Sequence, residues 1–307
     1  MKLKLLVLCF LFQALVFSQE NEYSAIDISI NKFVDGTLLL PNNIEKPNLA
    51  IIIGGAGPID RNGNQNFLKN NSIKKLAEAL SRNDIATFRY DKRIVKQIRH
   101  NYVDKNIKFD DFVTDAKSVI NYFKTSNAYN KIFVIGHSQG SLVGMLASKE
   151  GVDGFVSIAG SGQAIDNVIL EQIEKTAPML TEEAKDVFMV LKKGKTTSNY
   201  PQELSSIFKE DIQLFMMNWM QYDPKEEIKK LNIPILILNG TKDLQVPVEE
   251  ATFLKNASNE SALKIIDKMN HVMFLIEGDD LENSKSYNES FRQISTELVE
   301  TIVNFMN

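Results

Sequence analysis

Ile132-Phe133-Val134-Ile135-Gly136-His137-Ser138-Gln139-Gly140-Ser141 runs an apolar strand directly into a Gly-x-Ser-x-Gly turn. A serine raised on a sharp strand-to-helix turn sits in a strained backbone conformation, so the positions two before and two after it must be small. Gly136 and Gly140 meet that demand. The following Leu142 to Ser148 combines helical apolar spacing with small residues, which lets it pack closely beneath the turn. The context of a nucleophile elbow is therefore present, with Ser138 as the candidate nucleophile. A glycine-rich turn with an exposed serine is the competing reading, and partners elsewhere in the chain decide between them.

In such an elbow architecture the triad runs in chain order serine, acid, histidine. Of the 3 histidines, His137 is pinned beside the serine and cannot turn its ring onto it. His100 lies upstream in the basic stretch Arg93 to His100 and reads as a solvated surface residue. His271, in Lys268-Met269-Asn270-His271-Val272 after the strand-like Ala262 to Ile266, remains as the general base. For the acid, the apolar run Ile233 to Leu238 reads as a buried parallel strand and ends in Asn239-Gly240-Thr241-Lys242-Asp243, which puts Asp243 at a strand's carboxyl end. Glu249 and Glu250 are alternatives, but they fall in the next helical pattern, where a solvated charge is the ordinary expectation. Asp267 reads as a surface residue. The three types are interdependent: serine needs a base to take its proton, and the base needs a carboxylate to fix its tautomer and stabilise the imidazolium.

The oxyanion of a tetrahedral intermediate needs two or more donors, usually backbone N–H groups. The amide of Gln139 is one candidate. The second is expected after the first central strand, where Leu49 to Ile53 leads into Gly54-Gly55-Ala56-Gly57-Pro58, and Ala56 is its candidate. Glycine loops after strands also cradle phosphates, but no Gly-x-Gly-x-x-Gly and no Gly-Lys-Ser/Thr occurs here, which argues against a nucleotide site. Asp60 and Arg61 are expected either to brace this loop by hydrogen bonds, with Arg89 or Asp91 as partners, or to form a solvated charge cluster.

These pieces together resemble the α/β-hydrolase superfamily, and within it the bacterial serine esterases and serine aminopeptidase-like hydrolases that pair a Gly-x-Gly-Pro-x-Asp-Arg loop with a later Asp-Leu-Gln-Val segment. The matching segments are Gly55-Ala56-Gly57-Pro58-Ile59-Asp60-Arg61-Asn62-Gly63, Arg89-Tyr90-Asp91-Lys92-Arg93, Gly136-His137-Ser138-Gln139-Gly140, Tyr222-Asp223-Pro224, Gly240-Thr241-Lys242-Asp243-Leu244-Gln245-Val246-Pro247 and Asn270-His271-Val272. They occur in the expected order and span most of the chain. The resemblance implies Ser138, Asp243 and His271 as the triad. One departure is Ala56, where a serine is often seen before the second glycine; a backbone donor survives that change.

The chain has 307 residues, 44% hydrophobic and 24% charged, which suits one α/β domain with a sizeable core and an inserted subdomain. The formal net charge of -4, with no long basic run, leaves no electrostatic footprint for nucleic acid. Residues 1–18 read as a secretory signal: Met1-Lys2-Leu3-Lys4 is basic, Leu5 to Phe17 apolar, and Val16-Phe17-Ser18 a small-residue exit. The apolar stretch is shorter than the ~20 residues that span a bilayer, so no stable membrane anchor and a secreted or periplasmic location are expected. Cys9, the one cysteine, leaves with the signal, and no disulfide is expected.

A hairpin is expected from Ala25 to Ile30 and Thr37 to Leu40 around Asp35-Gly36. Leu49 to Ile53, Ile85 to Phe88, Ile132 to Ile135, Phe155 to Ile158, Ile235 to Leu238 and Ala262 to Ile266 are the expected central strands. Helical patterns at Ser72 to Leu80, Phe109 to Phe123 and Ser138 to Ala147 alternate with them, and a last helix is expected from about Ser290 to Phe305. The alternation argues a mostly parallel sheet with helices on both faces, and the resemblance implies that this is an α/β-hydrolase fold. Residues 163–230, within a domain of 19–307, are expected to form a helical cap inserted after the sixth strand, with amphipathic runs at Leu170 to Met179, Glu183 to Lys192 and Leu204 to Trp219. Its Phe215, Met216, Met217, Trp219 and Met220 either line an acyl pocket or hold the cap to the core, packing being the ordinary role of most of them.

The expected activity is hydrolysis of a small-molecule carboxylic ester through an acyl-enzyme, without cofactor or metal; no His/Cys cluster has metal-ligand spacing. A thioesterase, amidase or aminopeptidase would use the same triad, as would a cofactor-free haloperoxidase or lyase. A binding protein on an inactive hydrolase scaffold is the non-enzymatic alternative, and the complete catalytic set argues against it. Oligomeric state leaves no trace in the sequence.

Overall fold

The computed structural model describes residues 22–258 and 260–307; the expected signal at residues 1–18 lies outside them. The chain opens with an antiparallel pair, β1 (Tyr23–Ser29) and β2 (Asp35–Pro41). The turn between them is Asn31 to Val34, not Asp35-Gly36: the Asn31 carboxamide accepts from the Phe33 and Val34 amides, and Asp35 and Gly36 already pair with β1. An Asx turn with a local side-chain acceptor thus takes precedence over the Asp-Gly signal.

From there strands and helices alternate. β3 (Leu49–Ile53) is followed by α1 (Ser72–Ser81), β4 (Ala86–Tyr90), α2 (Arg93–Arg99) and α3 (Phe109–Ser126). Next come β5 (Ile132–His137), α4 (Gln139–Ala147) and β6 (Gly154–Ile158). The sheet has eight strands in the order β1-β2-β4-β3-β5-β6-β7-β8, with every pair from β4-β3 onward parallel. Strand period explains the two core layers: Leu49, Ile51 and Ile53 of β3 face the layer built with α3 and α4, whereas Ala50 and Ile52 face the layer with α1 and the last helix.

Between β6 and β7 (Ile235–Gly240) lie α5 (Ile165–Thr176), α6 (Thr181–Lys192), α7 (Ser205–Phe208), α8 (Glu210–Trp219) and α9 (Pro224–Ile228). They have their own core, with Val187, Phe188, Leu191 and Phe208 all buried. The expected single helix over Leu204 to Trp219 is broken at Lys209, whose extended backbone (ψ 145°) separates α7 from α8. The contacts that dock the insertion on α3 include the Trp219 ring, stacked on Phe109 with centroids 5.4 Å apart, and the Tyr222 hydroxyl, which donates to Asp110 Oδ1 at 2.6 Å. The chain closes with α10 (Val248–Ala257), β8 (Ser261–Ile266), α11 (Asp280–Ser286) and α12 (Thr296–Met306). α12 begins later than expected from periodicity, because Ser295 caps it by accepting from the Leu298 amide.

Candidate active site

Ser138 occupies the turn between β5 and α4 at φ 55°, ψ −124°, a conformation that costs energy for a residue with a Cβ and marks a constrained site. The helix therefore starts at Gln139, one residue later than its pattern. Both elbow glycines are required sterically. A Cβ on Gly136 would lie 2.3 Å from the Gly140 carbonyl oxygen, and one on Gly140 would lie 2.3 Å from the Ile53 oxygen. The second contact has a consequence for the site, since it lets α4 start against the end of β3 and brings the glycine loop beside the serine. At Gly55 a Cβ would be only 3.1 Å from that of Ser138. Gln139, as the first residue of α4, has an amide without an intrahelical acceptor at the positive end of the helix dipole. Ala56 is solvent-accessible and lines the cavities around Ser138 together with it.

The loops after β7 and β8 meet at the same sheet edge. A Cβ on Gly240 would collide with the Met269 oxygen, and the Lys242 amide donates to that same oxygen at 3.0 Å. This closeness puts His271 Nδ1 2.8 Å from Asp243 Oδ2, with both side chains essentially covered (5% and 0% exposed). The other Asp243 oxygen accepts from the Gln245 and Val246 amides at 2.8 and 2.9 Å, which fixes the carboxylate plane. Ser138 and His271 face one small cavity of about 90 Å³. Of the other acid candidates, Glu249 is exposed, and Asp267 is exposed and accepts from Thr241 Oγ1 at 3.0 Å. Glu250 corrects its sequence expectation. It is buried, not solvated, and accepts from the Gly162 amide at 2.6 Å and the Gln163 amide at 3.1 Å, where β6 leads into the insertion. His100 is exposed at the end of α2.

Several supporting residues have a role that the sequence alone does not reveal. Asn270 donates to Asn283 Oδ1 and Ser286 Oγ and accepts from the Phe274 amide, locking the turn before and after His271. Asn239 donates to the Val246 and Pro247 carbonyls and so shapes the Asp243 loop. His137 Nε2 lies 2.7 Å from the His271 carbonyl oxygen and donates to it. Burial first, then the neighbouring His271 ring, pushes the His137 pKa down to about 4, so it remains a neutral donor. This has a testable consequence for stability. Unfolded chains bind a proton at His137 near pH ~6.5, whereas the folded protein does not until about 4, so stability falls as pH drops through that window. The contribution is on the order of 3 kcal/mol. Urea unfolding across the window should give a slope that flattens in His137→Gln; an unchanged slope would mean that His137 protonates freely in the fold.

The glycine loop is braced as the first of the two expectations for Asp60 and Arg61 has it. The Arg61 amide, Nε and NH2 all donate to Asp91, at 2.8, 3.2 and 2.9 Å, and NH1 reaches Asp27 and Thr37. Burial works against the Asp91 charge, but these donations and one from Arg99 outweigh it and hold the carboxyl below its usual range. Asp60 closes its own turn by accepting from the Asn62 and Asn64 amides, and Arg89 donates to Asn62 instead of reaching Asp60 or Arg61.

A cavity of about 590 Å³ opens beside the elbow, walled by Ile107, Phe112, Phe215, Met216 and Trp219 and touching Ala56 and Gln139. A second of about 150 Å³ contains Ser138, Leu142, Val168 and Trp219. Met217 and Met220 pack instead into the core of the insertion. Among the described residues no group of three or more His, Cys, Asp or Glu could hold a metal, and no helix is long and apolar enough to cross a membrane.

The sequence model of the serine aminopeptidase S33 family matches residues 70–279, from the start of α1 to the loop beyond His271. The chain belongs to this family. It is 26% identical over 260 residues to "Esterase EstD" of Thermotoga maritima, a match over 82% of this chain and 60% of that protein, so the chain spans about 60% of the length of this curated relative. Among solved structures it is similar to Est1E from Butyrivibrio proteoclasticus, with a TM-score of 0.57 and 17% identity over 92% of this chain and 97% of that one. An alpha-beta serine hydrolase homologue from Coxiella burnetii gives a TM-score of 0.53 and 16% identity over 92% and 96%. At these identities the S33 family member shares the α/β-hydrolase fold of both.

Proposed function

We propose that this S33 family member is a carboxylesterase-type serine hydrolase in which Ser138, His271 and Asp243 form the triad. The observation that carries the reading is the His271 to Asp243 hydrogen bond placed on the same small cavity as a serine held at φ 55°. Ser138 Oγ attacks the ester carbonyl carbon while its proton passes to His271 Nε2, and the Ala56 and Gln139 amides receive the oxyanion. Collapse expels the alcohol, which takes the proton from His271 and leaves an acyl-enzyme. Water then repeats the sequence and releases the acid. The esterase relative supports ester over amide substrates. Among the described residues the two cavities at Ser138 are lined by no carboxylate that would anchor a free α-amine, whereas the 590 Å³ cavity beside them carries Asp104 and Asp211. The family's aminopeptidase description makes an aminoacyl amidase the second reading.

The deciding experiment is turnover of p-nitrophenyl esters of graded acyl length beside an acyl thioester and aminoacyl p-nitroanilides. Ester kcat/KM at least about tenfold above the anilides, a gap of about 1.4 kcal/mol, is the expected result; the reverse order would favour the aminopeptidase reading. Trp219 walls both the 150 and the 590 Å³ cavities. Trp219→Ala should therefore join them and move the preferred acyl chain to greater length, and an unchanged preference would place the acyl group elsewhere.

A further inference from the structure

We propose that Lys92 is a positioning residue that holds the two oxyanion donors, the Ala56 and Gln139 amides, in a single geometry. The proposal rests on the serine hydrolase reading of the same site. Lys92 stands between Asp91 and Arg93, whose charges are spent in ion pairs: Asp91 with Arg61 and Arg99, Arg93 with Asp111 and Asp115. Lys92 differs from both. It is buried, it makes no ion pair among the described residues, and its Nζ donates only to neutral acceptors, the Gly55 oxygen at 2.9 Å and Gln139 Oε1 at 2.7 Å. Its Nζ also sits over the Phe112 ring, 4.2 Å from the centroid.

Keeping an ammonium in such a place is costly, and its burial lowers the Lys92 pKa to about 7. The acceptors indicate what is gained. The Gly55 oxygen belongs to the same peptide group as the Ala56 N–H. In a trans peptide the C=O and N–H point in opposite directions, so a donor that fixes the oxygen on one side aims the N–H to the other. Glycine on both sides of Ala56 leaves the backbone free to adopt other orientations, and Lys92 selects one. The hydrogen bond onto the oxygen also polarises the peptide and strengthens the N–H as a donor. Through Gln139 Oε1 the same ammonium ties the residue that supplies the second amide. Two donors on separate elements, the loop after β3 and the start of α4, are thereby set relative to each other by one side chain.

The test compares wild type, Lys92→Met, Lys92→Arg and Gln139→Met. The readouts are kcat and KM for a neutral p-nitrophenyl ester, and affinity for an alkyl trifluoromethyl ketone, whose serine adduct carries the oxyanion. Because the amides are loosened and not removed, Lys92→Met should lower kcat on the order of 10- to 100-fold, below the 10²–10³-fold of deleting a donor. KM should change by less than about threefold, with ketone affinity falling in parallel with kcat. Lys92→Arg, which retains charge and donors, should recover part of both. Gln139→Met, which leaves Lys92 and the backbone amides in place, should show the same pattern more weakly and serves if Lys92→Met does not fold. A folded Lys92→Met with kcat within about threefold of wild type, or with lost kcat but undiminished ketone affinity, would overturn the proposal. Inactive wild type that resists fluorophosphonate would instead defeat the hydrolase reading beneath it.

Discussion

Ser138→Ala should abolish ester hydrolysis and labelling by a fluorophosphonate while leaving the fold in place. The loss expected is roughly 10⁶-fold in kcat, the size seen when the serine of a protease triad is removed, because histidine and acid act only through the nucleophile. The fold should tolerate the change. The elbow is held by the two glycines, by the Ser138 amide donating to the Ile158 oxygen at 2.9 Å and by α4 packing against β3, none of which uses the hydroxyl. Alanine must still adopt φ near that of Ser138, so the strain is carried over unchanged and the melting temperature should move little. Mass spectrometry of the wild-type adduct should place the label on Ser138. Undiminished hydrolysis by a folded alanine variant would remove Ser138 from the reaction and the triad with it.

The parts of the molecule that could be read along the chain are those fixed by local rules. β3 and β5 are continuous apolar runs because both faces of a central parallel strand are buried, and every residue of each is buried. The glycines at 136 and 140 reveal the elbow because backbone comes within 2.3 Å of where their Cβ atoms would be. What could not be read depends on partners distant in sequence. Glu250 has the surroundings of a surface helix in sequence, yet its carboxylate is buried against the Gly162 and Gln163 amides 88 and 87 residues away. Lys92 sits in a charged motif whose neighbours make ion pairs, and only the fold brings Gly55 and Gln139 to its ammonium. Asn270 reaches Asn283 and Ser286 on α11, a short helix whose weak apolar pattern gave no signal. Helix termini failed for a related reason, since the Ser295 cap and the break at Lys209 are set by single hydrogen bonds or dihedrals that periodicity averages over.

Asp243→Asn should cost on the order of 10⁴-fold in kcat, the figure known for the same change in a protease triad, and here the geometry dictates why. The carboxylate has two distinct oxygens: Oδ1 accepts from the Gln245 and Val246 amides, and Oδ2 faces His271 Nδ1. An asparagine must turn its single oxygen toward the two backbone donors, because placing its NH2 there would set donor against donor. The NH2 is then aimed at His271 Nδ1, which must become the acceptor. That puts the imidazole proton on Nε2, the nitrogen that has to take the proton from Ser138. The base is thus disabled by its tautomer without being moved. KM should change little, since Asp243 does not line the cavities beside Ser138. The control is Asp243→Ala, which lacks the misdirected donor and leaves His271 free to choose its tautomer. It should retain more activity than the asparagine variant despite losing more of the side chain. If Asp243→Asn instead lost less than about tenfold, the acid would have to be sought elsewhere. Glu250 is already committed to the Gly162 and Gln163 amides and Asp267 to Thr241, so neither could assume the role without rearranging the loop that carries it.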